Sequence, residues 1–180
     1  MVYVLLGTGF EETEAIAPID LMRRANIPVL TVGLNGKNIT GGHGITVKAD
    51  ITVKEMDLTQ MEMIVLPGGL GGVASILGCK EALDAITFAY ENSKLIGAIC
   101  AAPTILAKLG ITDDKKATCY PGCEENMGKA QMVADVPCIR DGNIITGASA
   151  GCATAFGLML VEAIQGETVK NAIAKQIVIR

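Results

Sequence analysis

Tryptophan is absent from the 180 residues, and aromatic residues make up only 3% of them, three Phe and three Tyr. The core must therefore be aliphatic. Histidine occurs once, as His43. That excludes any site needing two imidazoles, including HExxH zinc proteases and His-rich metal cages. A basic excess is also missing, since 15 Lys and Arg face 19 Asp and Glu, giving a net charge of −4. This argues against a phosphate-backbone binder, so no nucleic-acid partner is expected. No apolar run reaches the ~18 residues of a membrane span. The stretch Met1–Gly7 has no basic leader and soon meets Glu11 and Glu12, unlike a signal peptide. Six cysteines in a chain this long do not read as a secreted disulfide framework. A soluble cytoplasmic protein with reduced thiols is the expectation.

Half of the residues are hydrophobic and 19% are charged, which excludes a disordered chain. Surface scaling gives roughly 27,000 Å² exposed by the unfolded chain and roughly 8,300 Å² by the folded one, so a sizeable core needs no staples. One domain over residues 1–180 is expected.

A continuous apolar run at 1–6 and mostly apolar runs at 29–34, 61–66 and 95–99 read as buried strands. Between them, 11–26 reads as a helix with acids at its start and Arg23 and Arg24 at its end, matching the macrodipole. Pro18 is expected to kink that helix or to mark its first turn. Helices are also predicted over 81–90, 103–109 and 153–164, with short strands around 45–47. Asp141-Gly142 is read as the turn of a hairpin joining 136–140 to 143–146. Cys119 is placed at the end of a fifth strand. Continuous apolar strands alternating with helices mean a parallel sheet covered on both faces, whose ligands sit beyond the strands' carboxyl ends.

Three such ends carry chemistry. Ala98-Ile99-Cys100-Ala101-Ala102-Pro103 takes a buried strand straight into a helix, with small residues two before and two after the cysteine. This is the shape of a nucleophile elbow with Cys in place of Ser, and the helix N-terminus would favour a thiolate. The competing reading is a buried structural cysteine. Pro67-Gly68-Gly69-Leu70-Gly71-Gly72 formally fits GxGxxA at Gly69, Gly71 and Ala74. The acid needed for a ribose is missing at the next strand end, which is Cys100. The Gly69 amide could instead join that of Ala101 as an oxyanion hole, or the run could be a flexible turn. Gly7-Thr8-Gly9-Phe10-Glu11-Glu12 brings carboxylates to a third corner, where Glu11, Glu12 and Glu14 are not separable from solvated dipole partners. Cys119-Tyr120-Pro121-Gly122-Cys123 is a poor zinc site, so its thiols are core residues or redox partners of Cys100. No metal and no cofactor are expected.

Together, Gly9-Phe10-Glu11-Glu12-Thr13-Glu14-Ala15, Arg23-Arg24-Ala25, Leu66-Pro67-Gly68-Gly69 and Ala98-Ile99-Cys100-Ala101-Ala102-Pro103-Thr104 resemble the ThiJ/PfpI family, or DJ-one superfamily. The match runs from the first strand to the last helix and is closest to the short branch without a lid insertion. The resemblance implies a three-layer α/β fold of flavodoxin-like, class I glutamine amidotransferase-like type, and a homodimer. It assigns Cys100 as the reactive cysteine, Glu14 as the carboxyl touching its sulfur, and the Gly69 and Ala101 amides as the oxyanion site. A carboxylate against a thiolate is repulsive, so the useful state is a protonated Glu14 donating to the Cys100 thiolate. This chain departs from the family at Tyr120, where many members carry a histidine. It departs again at His43, the best match to an arginine that in relatives approaches the partner's site. Ser149-Ala150-Gly151-Cys152 replaces a Gly-Pro-Gly-Thr turn and places Cys152 near the site.

The resemblance implies a cofactor-independent enzyme acting on small reactive carbonyls or glycated substrates, of glyoxalase III or deglycase type. A redox sensor or chaperone-like stress protein is the alternative, with Cys119, Cys123 or Cys152 as resolving thiols for Cys100. A peptidase or amidase loses its base with the histidine. A packing corner without chemistry is the remaining alternative.

Overall fold

The computed structural model describes residues 1–179. Its strands are β1 (Val2–Leu6), β2 (Val29–Gly33), β3 (Asn38–Thr40), β4 (Thr46–Lys48), β5 (Ile51–Thr52), β6 (Met63–Leu66), β7 (Leu95–Ile99), β8 (Lys116–Ala117), β9 (Gln131–Met132), β10 (Cys138–Asp141) and β11 (Ile144–Gly147). Its helices are α1 (Glu12–Arg24), α2 (Leu70–Leu77), α3 (Lys80–Glu91), α4 (Pro103–Lys108), α5 (Ala153–Gln165) and α6 (Glu167–Gln176). Seven strands form the central sheet in the order β10-β11-β7-β6-β1-β2-β5. All neighbours run parallel except β10, which returns antiparallel on β11.

The period-two alternation of a strand divides the core between the two faces. In β1, Val2, Val4 and Leu6 join Met22 of α1 and Phe156 and Leu160 of α5. Tyr3 and Leu5 point the other way, into a cluster with Ile76 of α2, Ile86 of α3 and Ile105 of α4. Both faces are therefore covered, giving the three-layer α/β sandwich expected from unbroken apolar strands. The folded chain exposes 8116 Å², close to the scaling expectation.

Several local expectations are corrected. Helix α1 starts at Glu12 and runs on through Pro18, which therefore does not mark its first turn. Proline has no N–H, so the Glu14 carbonyl forgoes its bond from residue 18. The run after Pro67 is no turn but the start of α2, despite Gly71 and Gly72. A Cβ on Gly71 would lie 2.9 Å from Gly9 Cα, and one on Gly72 would lie 2.8 Å from Phe10 Cα. Close backbone packing against the first strand end outweighs the poor helix propensity of glycine. Cys119 does not end a central strand: the preceding β8 pairs only with β9, in a separate two-stranded ladder. Helix α6 was not anticipated.

Phe156 is fully buried and packs over Gly97 and Gly147. Phe156→Ala should lower stability by about 3–5 kcal/mol, the usual cost of deleting a core aromatic. Urea unfolding should show this as a reduced midpoint with an unchanged slope.

Candidate active site at the carboxyl ends of β1, β6 and β7

Cys100 follows β7 directly and has φ +65°, in the left-handed region that non-glycine residues seldom occupy. Such strain persists only where the surroundings over-determine it. Here the Cys100 N–H donates to the Gly147 carbonyl at 2.9 Å and its carbonyl accepts from the Tyr120 N–H at 2.8 Å. The Ala102 N–H donates to Ile99 O at 3.1 Å, tightening the bend. Thr104 Oγ1 donates to Ala101 O at 2.7 Å and closes the first turn of α4. The strand-to-helix elbow read from small residues around Cys100 is the geometry observed.

The structure separates the three glutamates. Glu11 is the N-cap of α1, its Oε2 accepting from the Glu14 N–H at 2.7 Å. Glu12 is buried beneath the β3–β4 turn, where it accepts from the His43 N–H at 2.8 Å and pairs with His43 Nδ1 at 2.8 Å. Glu14 is 1% exposed and turns inward to the sulfur. Its Oε2 accepts from the Gly68 N–H at 2.8 Å. Oε1 is buried without a hydrogen-bond partner, and the carboxyl as a whole interacts with the Cys100 side chain. Gly68 sits where those two groups meet: a Cβ there would lie 2.5 Å from Glu14 Oε2 and 2.7 Å from Cys100 Cβ. Gly68 was quoted within the Leu66–Gly69 motif, but nothing in its sequence signal marked it as the donor to Glu14.

Burial pushes the Glu14 carboxyl from its ordinary 4.5 up to about 7. Burial, then the nearby Glu14 charge, push the Cys100 thiol up to about 12, against the pull of the Ala101 and Gly69 amides. The expectation of a thiol lowered by a helix N-terminus is thereby corrected. Helix α4 has only six residues, and desolvation dominates. The pair behaves as one titrating unit that takes up a single negative charge as pH rises through about 7.

Cys100, Glu14, Gly69 and Ala101 are thus brought together. The other candidates lie outside this constellation. The His43 side chain is 72% exposed and faces Glu12. Tyr120 reaches Cys100 through its backbone, while its side chain is about half exposed, at 48%. Cys119 neighbours Cys123. Cys152 accepts from Ser149 Oγ at 3.7 Å and acts on Cys138, a thiol that sequence reasoning had passed over. No other cysteine is among the groups that shift the Cys100 thiol. Among the described residues, one group, Glu11, Glu12 and His43, gathers three potential metal-ligating atoms. Hydrogen bonds already occupy both Glu12 oxygens there. No helix among the described residues is long and apolar enough to cross a membrane.

The DJ-1/PfpI family model matches residues 1–163. The chain belongs to the DJ-1/PfpI family. It is 33% identical to Protein dj-1beta of Drosophila melanogaster over 178 residues, covering 98% of this chain and 95% of that protein. The crystal structure of Drosophila melanogaster DJ-1beta superposes with a TM-score of 0.94 at 32% identity, covering 99% of this chain and 97% of that one. Oxidized DJ-1 of Toxoplasma gondii superposes with a TM-score of 0.92 at 26% identity, covering 98% of this chain and 96% of that one. The DJ-1/PfpI likeness thus extends to the whole fold, including the mostly parallel sheet flanked by helices.

A carboxyl group whose folded pKa is raised stabilises the fold at low pH, and that contribution is lost as pH rises through the folded value. For Glu14 the window runs from 4.5 to about 7. Unfolding free energy should fall across that window in the wild type. Glu14→Gln should flatten the decline, as measured by urea titrations at a series of pH values.

Proposed function

We propose that this DJ-1/PfpI protein is a cofactor-independent, cysteine-dependent stress-response enzyme acting on small reactive carbonyls or their glycated adducts. The observation that carries this reading is the buried Glu14 carboxyl interacting with the Cys100 thiol at Gly68. It is supported by two backbone N–H groups, of Gly69 and Ala101, that favour negative charge on the sulfur. In the reactive form the shared proton rests on Glu14 and the charge on sulfur.

With a 2-oxoaldehyde, the Cys100 sulfur bonds to the aldehyde carbon. The carbonyl electron pair moves to oxygen, where the Gly69 and Ala101 amides hold it and the Glu14 proton neutralises it. Glu14, now a carboxylate, removes the proton from that carbon and returns one to the adjacent carbon, while the hydroxyl proton on the first carbon passes to the neighbouring oxygen. The product is a thioester of the 2-hydroxy acid, and water cleaves it to release the acid and restore the thiol. One water is consumed overall, and the redox change is internal to the substrate. Tyr120 in place of histidine disfavours the peptidase reading, because the imidazole that a Cys–His mechanism uses as its base is missing.

Oxidation of Cys100 to a sulfinate is the second reading, favoured by the similarity to a DJ-1 described as oxidized. The homodimer remains part of the proposal. It is supported by Ile16 and Ile45, 43% and 58% exposed beside a shallow apolar hollow.

Wild-type protein incubated with methylglyoxal and no glutathione should form lactate. Turnover should rise with pH through about 7, as the pair loses its first proton. Cys100→Ala should abolish lactate formation, and Glu14→Gln should lower kcat/KM by about 100-fold or more, the range for loss of general acid–base catalysis. Wild-type turnover equal to that of Cys100→Ala would remove the enzymatic reading.

A further inference from the structure

The segment Cys119-Tyr120-Pro121-Gly122-Cys123 touches the Cys100 site only through the Tyr120 amide, yet it carries two thiols of its own. The Cys123 N–H donates to the Tyr120 carbonyl at 2.9 Å, so Cys123 closes a tight turn that Cys119 immediately precedes. Such a turn brings its ends, Tyr120 and Cys123, within about 7 Å, with Cys119 one residue before it. Cys119 is buried with Ala117 and Met127, and Cys123 packs against that same small cluster. Cys123 is among the groups that raise the Cys119 thiol. Cys119 also lines a cavity of about 300 Å³ together with Thr118, Pro121, Glu124, Val136 and Ala148. Cys123 is partly exposed.

From this juxtaposition we propose that Cys119 and Cys123 form a reversible disulfide with each other when hydrogen peroxide is present, as a redox site separate from Cys100. The proposal does not depend on the carbonyl reading of the Cys100 site. In the first step the Cys123 thiolate attacks one peroxide oxygen, the O–O bond breaks, and sulfenic acid and water form. In the second the Cys119 thiol displaces the hydroxyl from that sulfur as a second water, and the S–S bond forms. Two thiols lose two electrons and two protons in all, and one peroxide is reduced to two waters.

A carboxylate governs the rate. Glu124 is tied to the turn by the Gly122 N–H, which donates to its Oε2 at 2.7 Å. Burial first, then this charge, push Cys119 up to about 12 and raise Cys123. Both thiols are therefore mostly protonated, and because the thiolate is the attacking form the bond forms appreciably only where peroxide is abundant. The same turn carries the Tyr120 N–H that braces the Cys100 carbonyl, so the disulfide fixes a segment that supports the elbow.

Trypsin cleavage after Lys116 and Lys129 leaves both cysteines on one peptide, residues 117–129. After limiting peroxide, mass spectrometry should find that peptide lighter by two hydrogens and closed to alkylation until dithiothreitol is added. Wild type and Cys100→Ala should behave alike, and Glu124→Gln should form the bond faster at neutral pH. Two outcomes overturn the proposal. In one, both thiols still alkylate at a peroxide dose that has already added two oxygens to Cys100. In the other, Cys119 or Cys123 is found bonded to Cys100 or to a second copy of the chain.

Discussion

A buried carboxyl and a partly buried thiol meet at the ends of β1, β6 and β7. Neither can ionise freely, because burial raises both and a charge on one opposes a charge on the other. The consequence is that the two acids together take up one negative charge as pH rises through about 7 and resist a second. Two amides, of Gly69 and Ala101, face the sulfur, while one, of Gly68, faces the carboxyl. The balance of those donors decides where the remaining proton rests. A proton on Glu14 leaves a nucleophilic sulfur, and a proton on sulfur leaves an inert thiol.

The fold exists, in functional terms, to hold that contact. Parallel β1, β6 and β7 end on the same side of the sheet, so three segments far apart in sequence converge there. The first brings Glu14 on α1, the second brings Gly68 and Gly69, and the third brings Cys100. The left-handed backbone at Cys100 is braced by Gly147 and Tyr120. The absence of a side chain at Gly68 lets Glu14 and Cys100 meet.

Much of this was legible in the residues. Apolar strand runs, the Ala98–Pro103 elbow and the acid-to-base polarity of α1 all depend on local order, which a sequence displays directly. The glutamates were different. Glu11, Glu12 and Glu14 look equivalent along the chain, and only tertiary packing sends the first to a cap, the second to His43 and the third to the sulfur. Helix α2 was hidden because its glycines are chosen for contact with Gly9 and Phe10 rather than for propensity. The elevated thiol pKa was hidden for a similar reason. A helix N-terminus is visible in sequence, but the desolvation that outweighs it is set by elements packed from elsewhere.

Tyr120 contributes a backbone brace to the elbow, and His43 pairs with Glu12. What remains at the sulfur is Glu14 and two amides, so the shared proton must set its reactivity. The most direct measurement is the rate of Cys100 alkylation by iodoacetamide as a function of pH, followed by peptide mapping, in wild type and Glu14→Gln. A shared proton predicts an inflection near the about 7 of Glu14 in the wild type, and none there in the variant. Wild-type reactivity that climbs only toward the about 12 of the isolated thiol step, with no inflection near neutrality, would contradict it.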